Sequence, residues 1–460
     1  MLPVLLYVVF LVIAFRNEST FRPQVSAGIW VPLIWMIICG SRSLTRWLDI
    51  STTPGLDYDA ANLEGSQIDR VFLSTLILFA LVILSRRRTR LMSLLGRNKA
   101  LLLFFLYLGL STLWSDVVAV SIRRWFSLAG GFIMAATIMT EPEPLEALKV
   151  SLRRCAYILI PASVLYVKFF PEFGVQYNWD GQKTWAGVAL EKNGLGHLCV
   201  VSILFIVWSI IIERERVRSA RDRARLLMGV VVVVMALWLL KGPEKAYSAT
   251  SVAALVVGIG LCLIFRLRSV RQHIRNVATF ILCAVVGLFL LHVTVNPIGM
   301  LVEFLGRDMT FTGRTPLWST LIDLGLQRPL FGYGYGGFWI PERIELIRDR
   351  VNLIFRIGHN GFLEIFVEGG FVGVLLLLTV LVTSLMKIQR TIVDNFSYGV
   401  LRLCLLIAIV ICNLTESSIA RPQNFLWFVF LLVAVGEGVE AVRRGRGGYD
   451  VANVLTATAS

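Results

Sequence analysis

A chain of 460 residues that is 56% hydrophobic, with a mean hydropathy of +0.73, is not a water-soluble globular protein. Its 45 Lys and Arg against 30 Asp and Glu give a net charge of +15, but the surplus sits in short clusters beside apolar runs. That is the positive-inside pattern of a membrane protein, and it excludes nucleic acid as the partner.

Repeated apolar runs near bilayer length predict an all-α polytopic integral membrane protein. In chain order the spans fall near 2 to 15, 28 to 41, 71 to 85, 98 to 114, 122 to 140, 155 to 170, 194 to 212, 226 to 240, 248 to 265, 277 to 295, 361 to 386, 397 to 412 and 425 to 441. This makes about 12 or 13 transmembrane helices, several of which need flanking polar residues to reach the ~20 residues that cross hydrocarbon. The first run begins at Leu2 with no basic segment before it and no small-residue cleavage site after it, so it reads as a retained span. The seven cysteines lie within or at the ends of apolar runs and never as a close pair. Neither a disulfide framework nor a thiol metal site is expected from them.

If the spans alternate, Arg86 to Arg90, Arg214 to Arg225, Arg266 to Arg275 and Arg443 to Arg446 fall on one side, which the charge rule makes cytoplasmic. The loops at 42 to 70, 115 to 121, 171 to 193, 241 to 247, 296 to 360 and 413 to 424 then share the opposite face. The chain reads as one membrane domain over 1 to 460, with 296 to 360 as its large outer loop.

That loop concentrates the polar chemistry. Thr312 to Trp318 opens a short helix with Thr315 as N-cap and Pro316 in the first helical position. Arg314 is thereby set beside a helix N-terminus, an arrangement suited to a phosphate. Between Phe331 and Trp339, glycines alternate with Tyr333, Tyr335 and Trp339, which suit stacking against sugars. Ile340, Ile344, Ile347, Val351 and Ile354 recur at helical spacing, with Arg343, Arg348 and Arg350 on the remaining faces. This is an amphipathic helix, expected to lie in the interface plane with those arginines merely solvating it. His359 follows directly at its end, and an imidazole titrates near neutral pH, as a general base requires. On the outer end of a span, Arg123 and Arg124 depart from the positive-inside pattern.

An outer-face catalyst has neither ATP nor nucleotide sugars at hand, so its energy must arrive on a carrier that has crossed the membrane. A lipid diphosphate fits. Gly313 to Trp318, Arg328 to Gly334, His359-Asn360 with Leu363-Glu364, and Glu368-Gly369-Gly370 resemble the signature of the O-antigen ligase and polymerase superfamily. Trp47-Leu48-Asp49, Glu64-Gly65-Ser66 with Asp69-Arg70, Ser111 to Ser115, Trp185-Ala186-Gly187, Lys192 to Gly196, Ser248-Ala249-Thr250 and Thr415-Glu416-Ser417 are similar to its exopolysaccharide polymerase branch.

The resemblance implies a GT-C-like glycosyltransferase of the bacterial inner membrane. It would act on the periplasmic face, inverting and metal-independent, with an undecaprenyl-diphosphate-linked glycan as donor and no cofactor. Arg314 then corresponds to the family's loop arginine, and His359 becomes the base that deprotonates the acceptor. A second basic residue stands in the family where this chain has Ser248-Ala249-Thr250, which leaves Lys245, Lys192 and Lys241 as candidates for the second diphosphate contact. Glu364, on the same face as Asn360, and Glu368 are candidates to orient the base or hold sugar hydroxyls, and Glu416 is a further one. The acceptor is either another lipid-linked repeat unit, for a polymerase, or lipid A core, for a ligase. A flippase and a chain-length regulator are the expected protein partners of a polymerase. A polysaccharide-lipid transporter is the reading from another class, but the polar residues gather at one outer face and no pair of interrupted helices repeats between the two halves.

Overall fold

The computed structural model describes residues 1–19, 25–48, 66–177, 181–213, 220–243, 246–267, 270, 276–281 and 314–436. Asp49, Glu64, Gly65, Lys245, Gly313, the Arg443 to Arg446 cluster, the loop segment 296 to 313 and most of the expected span at 277 to 295 lie outside them.

In chain order the helices are α1 (Leu2–Ser19), α2 (Trp30–Gly40), α3 (Gln67–Ser85), α4 (Arg88–Arg97), α5 (Lys99–Ser111), α6 (Val118–Met139) and α7 (Pro144–Phe169). A small antiparallel hairpin, β1 (Val175–Tyr177) with β2 (Lys183–Trp185), leads to α8 (Lys192–Glu213), α9 (Ala220–Lys241) and α10 (Ala249–Ile264). The C-terminal part holds α11 (Arg314–Gly325), α12 (Pro341–Val351), α13 (Gly361–Asp394), α14 (Phe396–Asn413) and α15 (Phe425–Val435). Seven of these, α3, α6, α7, α8, α9, α13 and α14, are long and apolar enough to cross a membrane. α4 and α5 meet at an 86° break, and α1, α2, α10 and α15 are shorter apolar helices. The protein is a multi-pass helical membrane protein.

Burial separates helices that face lipid from those that form the centre. α3 exposes Val71, Leu78, Phe79 and Val82, and α13 exposes Phe371, Leu375 and Leu378, rows of apolar side chains that only hydrocarbon would tolerate. Every residue of α15 is buried, as expected of a helix that is apolar all round. Its last carbonyls receive two cations. Arg402 donates from Nε and Nη2 to Val433 O at 3.0 and 2.7 Å, and Lys387 Nζ donates to Ala434 O at 2.9 Å. Positive charge at a helix C-terminus meets the negative end of its dipole, which accounts for cations held inside an apolar bundle.

α13 is broken at Gly370, where φ 62° and ψ −165° leave the helical region. The loop after α11 fills the gap: Phe371 N donates to Pro329 O, Val372 N to Leu330 O, and Tyr333 N to Val367 O. Only glycine fits there, because a Cβ on Gly370 would stand 2.3 Å from Leu330 O. Glu364 and Glu368 therefore sit on the short segment of α13 that precedes the break, with the lipid-facing run beginning at Phe371.

α12 matches the expected amphipathic helix, beginning with Pro341 in its first turn and ending at Asn352 in the left-handed region. Its apolar face turns to protein, since Ile347, Ile344 and Val351 join Leu317, Leu321, Leu324, Phe338 and Val367 in a second small core. Ile354 lies past its end and is exposed.

Contacts tie the loops expected to share a face to one end of the bundle. Arg42 donates to the Ala189 and Gly187 carbonyls, Arg124 to Gly336 O, Asn193 to Glu416, and Thr250 pairs with Thr415. Arg87 and Arg90, which follow α3, instead reach the Thr137 and Thr140 carbonyls at the other end of α6.

Candidate active site

Asn413 builds the loop that carries Glu416. Its Oδ1 accepts from Ser418 N and Ile419 N, each at 2.9 Å, closing the chain into a tight turn after α14. Thr415 Oγ1 lies 2.5 Å from Thr250 Oγ1, which fastens the turn to the start of α10. Glu416 is consequently presented, 5% exposed, where α8, α11 and α13 begin.

Its carboxylate collects three partners. Oε1 accepts from Arg314 Nη2 at 3.0 Å and from Asn193 Nδ2 at 2.7 Å, and Oε2 faces His359 Nδ1 at 3.3 Å. Arg314 also donates to Thr415 O. Burial alone would raise the Glu416 pKa, but the His359 hydrogen bond and the Arg314 charge outweigh it and hold the carboxyl below its ordinary value. Glu191, beside Lys192, lies within the electrostatic reach of the same group.

His359 is fixed from both sides. It has φ 48°, a left-handed conformation uncommon outside glycine, costing about 1–3 kcal/mol that the surroundings must offset. Trp318 Nε1 donates to Gly358 O at 2.8 Å, Gly358 N donates to Glu364 Oε1, Asn360 N to Ser417 Oγ at 3.1 Å, and Gly361 N to Glu416 O at 3.1 Å. If Nδ1 carries the proton toward Glu416, the ring's basic lone pair is on Nε2. The His359 and Arg314 side chains are each 20% exposed, so both remain open to a ligand.

Several candidates take places other than those expected. Asn360 caps α13, its side chain accepting from Phe362 N and Leu363 N at 3.0 and 3.1 Å. Glu364 and Glu368 do not touch His359. They are 1% and 3% exposed and pair with Arg421, at 2.6 and 3.7 Å, a residue the sequence does not single out. The Glu364 carboxylate touches the base's neighbour, accepting from Gly358 N. Tyr333, Tyr335 and Trp339 are turned inward instead of forming an open stacking surface. Tyr335 donates to Ala420 O at 2.8 Å and Trp339 to Glu364 Oε2 at 3.0 Å, while the Tyr333 hydroxyl is 3.2 Å from Leu324 O. Glycines in this loop serve backbone contact, for a Cβ on Gly332 would meet Glu368 C at 2.5 Å. Thr315 lies within the first turn of α11, which already begins at Arg314. Lys192 adjoins Asn193 and is half-buried; Lys241 is exposed at the end of α9. Among the described residues, no group of three His, Cys, Asp or Glu side chains could hold a metal ion.

Asn193 is the contact that sequence reading passes over, since 223 positions separate it from Glu416. Its one signal is membership of the Lys192 to Gly196 motif. Four residues further along α8, His197 is buried with no hydrogen-bond partner on Nε2 among the described residues.

Residues 246–378 match a family model described as O-antigen ligase, a stretch that contains Arg314, His359, Glu364 and Glu368 but ends before Glu416. The chain is also 25% identical over 295 residues to the exopolysaccharide production protein ExoQ of Rhizobium meliloti (strain 1021). That match covers 61% of this chain and spans 63% of the length of the relative.

Proposed function

We propose that this chain, an O-antigen ligase/polymerase-like membrane protein, polymerises lipid-linked oligosaccharide repeat units at the periplasmic face of the inner membrane. The observation that carries the reading is the junction at Glu416, where one carboxylate joins a partly exposed cation, Arg314, to a partly exposed imidazole, His359.

In this reading the acceptor hydroxyl gives its proton to His359 Nε2 as its oxygen attacks the anomeric carbon of the donor sugar. Glu416 keeps the ring oriented and stabilises the imidazolium that forms. The bond from that carbon to the diphosphate breaks with its electron pair on the departing oxygen, and attack from the opposite face inverts the centre. Arg314 meets the charge on the leaving diphosphate. Two of its five N–H donors are engaged with Glu416 and Thr415, so others remain for phosphate oxygens. Lys192, next to the Asn193 that binds Glu416, is the favoured second cation, with Lys241 and Lys245 as its rivals. Fixed cations take the part that a divalent metal plays in other glycosyl transfers. Similarity to an exopolysaccharide production protein favours a lipid-linked repeat unit as acceptor; the O-antigen ligase description of the matching family model supports lipid A core as the second reading.

Variant kinetics test the assignment of roles. His359→Ala should lose roughly 10²-fold or more in turnover, since positioned proton transfer contributes ~10² to 10⁴, with donor binding nearly unchanged. Arg314→Ala should weaken donor binding as well as turnover, and Arg314→Lys should recover only part, because a lysine lacks the planar two-pronged donor. Normal turnover by a folded His359→Ala protein would remove the base from the mechanism.

A further inference from the structure

Arg343 does not merely solvate α12. Its guanidinium lies 4.1 Å from the centre of the Tyr333 ring, over which Arg328 also sits, at 4.5 Å. Both arginines pair with one carboxylate, Asp116, so the cluster holds two cations against one anion. Arg343 is fixed by donating to the Gly337 and Phe338 carbonyls at 2.9 and 2.8 Å, and Arg124 holds the neighbouring Gly336 carbonyl at 2.7 Å. Burial lowers the Arg343 pKa, a mark of a guanidinium that has lost water. Arg328 is 46% exposed and open to a further anion.

The surroundings are those of an amphiphile. Beside Arg328, Leu330 and Phe331 are 59% and 54% exposed, and Trp114 packs its ring 6.1 Å from that of Phe331 while donating to the Phe331 carbonyl. A surplus guanidinium bordering an exposed apolar and aromatic surface at the membrane suits a phosphate that carries a lipid chain, not a soluble phosphate.

Arg314 opens α11, whose 12 residues span about 18 Å, and Arg328 stands in the turn that follows its other end. Polymerisation requires such a separation. The donor's diphosphate must lie at the bond being broken, beside Arg314 and His359. The acceptor's nucleophilic hydroxyl is also at His359, but its own diphosphate is removed by the length of one repeat unit. Resting on the polymerase reading, we infer that Arg328 and Arg343, set over Tyr333, form a second phosphate site that takes the diphosphate of the lipid-linked acceptor.

The probe is a lipid-linked repeat unit whose sugar–diphosphate bond is replaced by a non-cleavable phosphonate, which can accept but not donate. In nanodiscs of zwitterionic lipid, wild type should bind it at two sites and Arg328→Gln at one, with Arg328→Lys intermediate. A single site in wild type, or two undiminished sites in Arg328→Gln, overturns the proposal. So does displacement from the second site by anionic phospholipid at equal concentration, which would make it a general headgroup site. In turnover, Arg328→Gln should lower the ratio of kcat/KM for the phosphonate acceptor to that for the repeat unit's methyl glycoside by roughly tenfold or more. An unchanged ratio contradicts it. If two-site binding persists while glycan passes only to lipid A core, the polymerase reading fails and the second phosphate site stands.

Discussion

Glu416 shows at the scale of one residue how the site is wired. Replacing it by Gln keeps the shape but removes the charge that orients His359 and pairs with Arg314, so turnover should fall on the order of 10²-fold. Because its folded-state pKa is depressed, its stabilising contribution is present above the ordinary value of 4.5 and is lost as the pH falls below it. Thermal melts of the purified protein should therefore separate wild type from Glu416→Gln most at neutral pH and least in acid; a gap that widens in acid would contradict the pairing. His359 and Arg314 are legible in the sequence because each sits in a compact motif beside a helix start. Asn193 and Arg421 are not, since their partners come from distant helices and spacing along the chain carries no trace of them. Glu364 and Glu368 mislead for a related reason. Helical periodicity places them near His359 in sequence, while the buried Arg421 decides what they bind.

At the scale of elements, hydropathy locates the apolar runs and period locates α12, but neither reveals the break in α13. The Gly369-Gly370 pair falls inside the expected span 361 to 386, and only the loop inserted against it shows that the helix is interrupted. Gly370→Ala should lower stability by roughly 1–3 kcal/mol from backbone conformation alone, with the Leu330 clash added. Gly96→Ala in α4, where a Cβ meets nothing within 4 Å, should be neutral or mildly stabilising. Thermal melts of the two variants check this, and equal melting points would show that the break is not required. The inward turn of Tyr333, Tyr335 and Trp339 was likewise hidden, because an aromatic beside glycine fits a stacking surface and a tight core equally well.

For the whole molecule, the membrane class follows from composition and the grouping of loops from alternation of spans. Among the described residues, parts of those loops meet at one end, through contacts such as Asn193 to Glu416 and Arg124 to Gly336. What composition leaves open is the reaction, because polymerase, ligase and transporter share a bundle of apolar helices and differ only in what meets at that end. The most direct measurement uses purified protein in nanodiscs, supplied with the lipid-linked repeat unit alone in excess EDTA. A ladder of glycans lengthened one repeat unit at a time, unaffected by added Mg²⁺ or Mn²⁺ and absent with His359→Ala, is the predicted result. No elongation, or elongation that appears only when a divalent metal is restored, would contradict metal-free transfer between lipid diphosphates at this site.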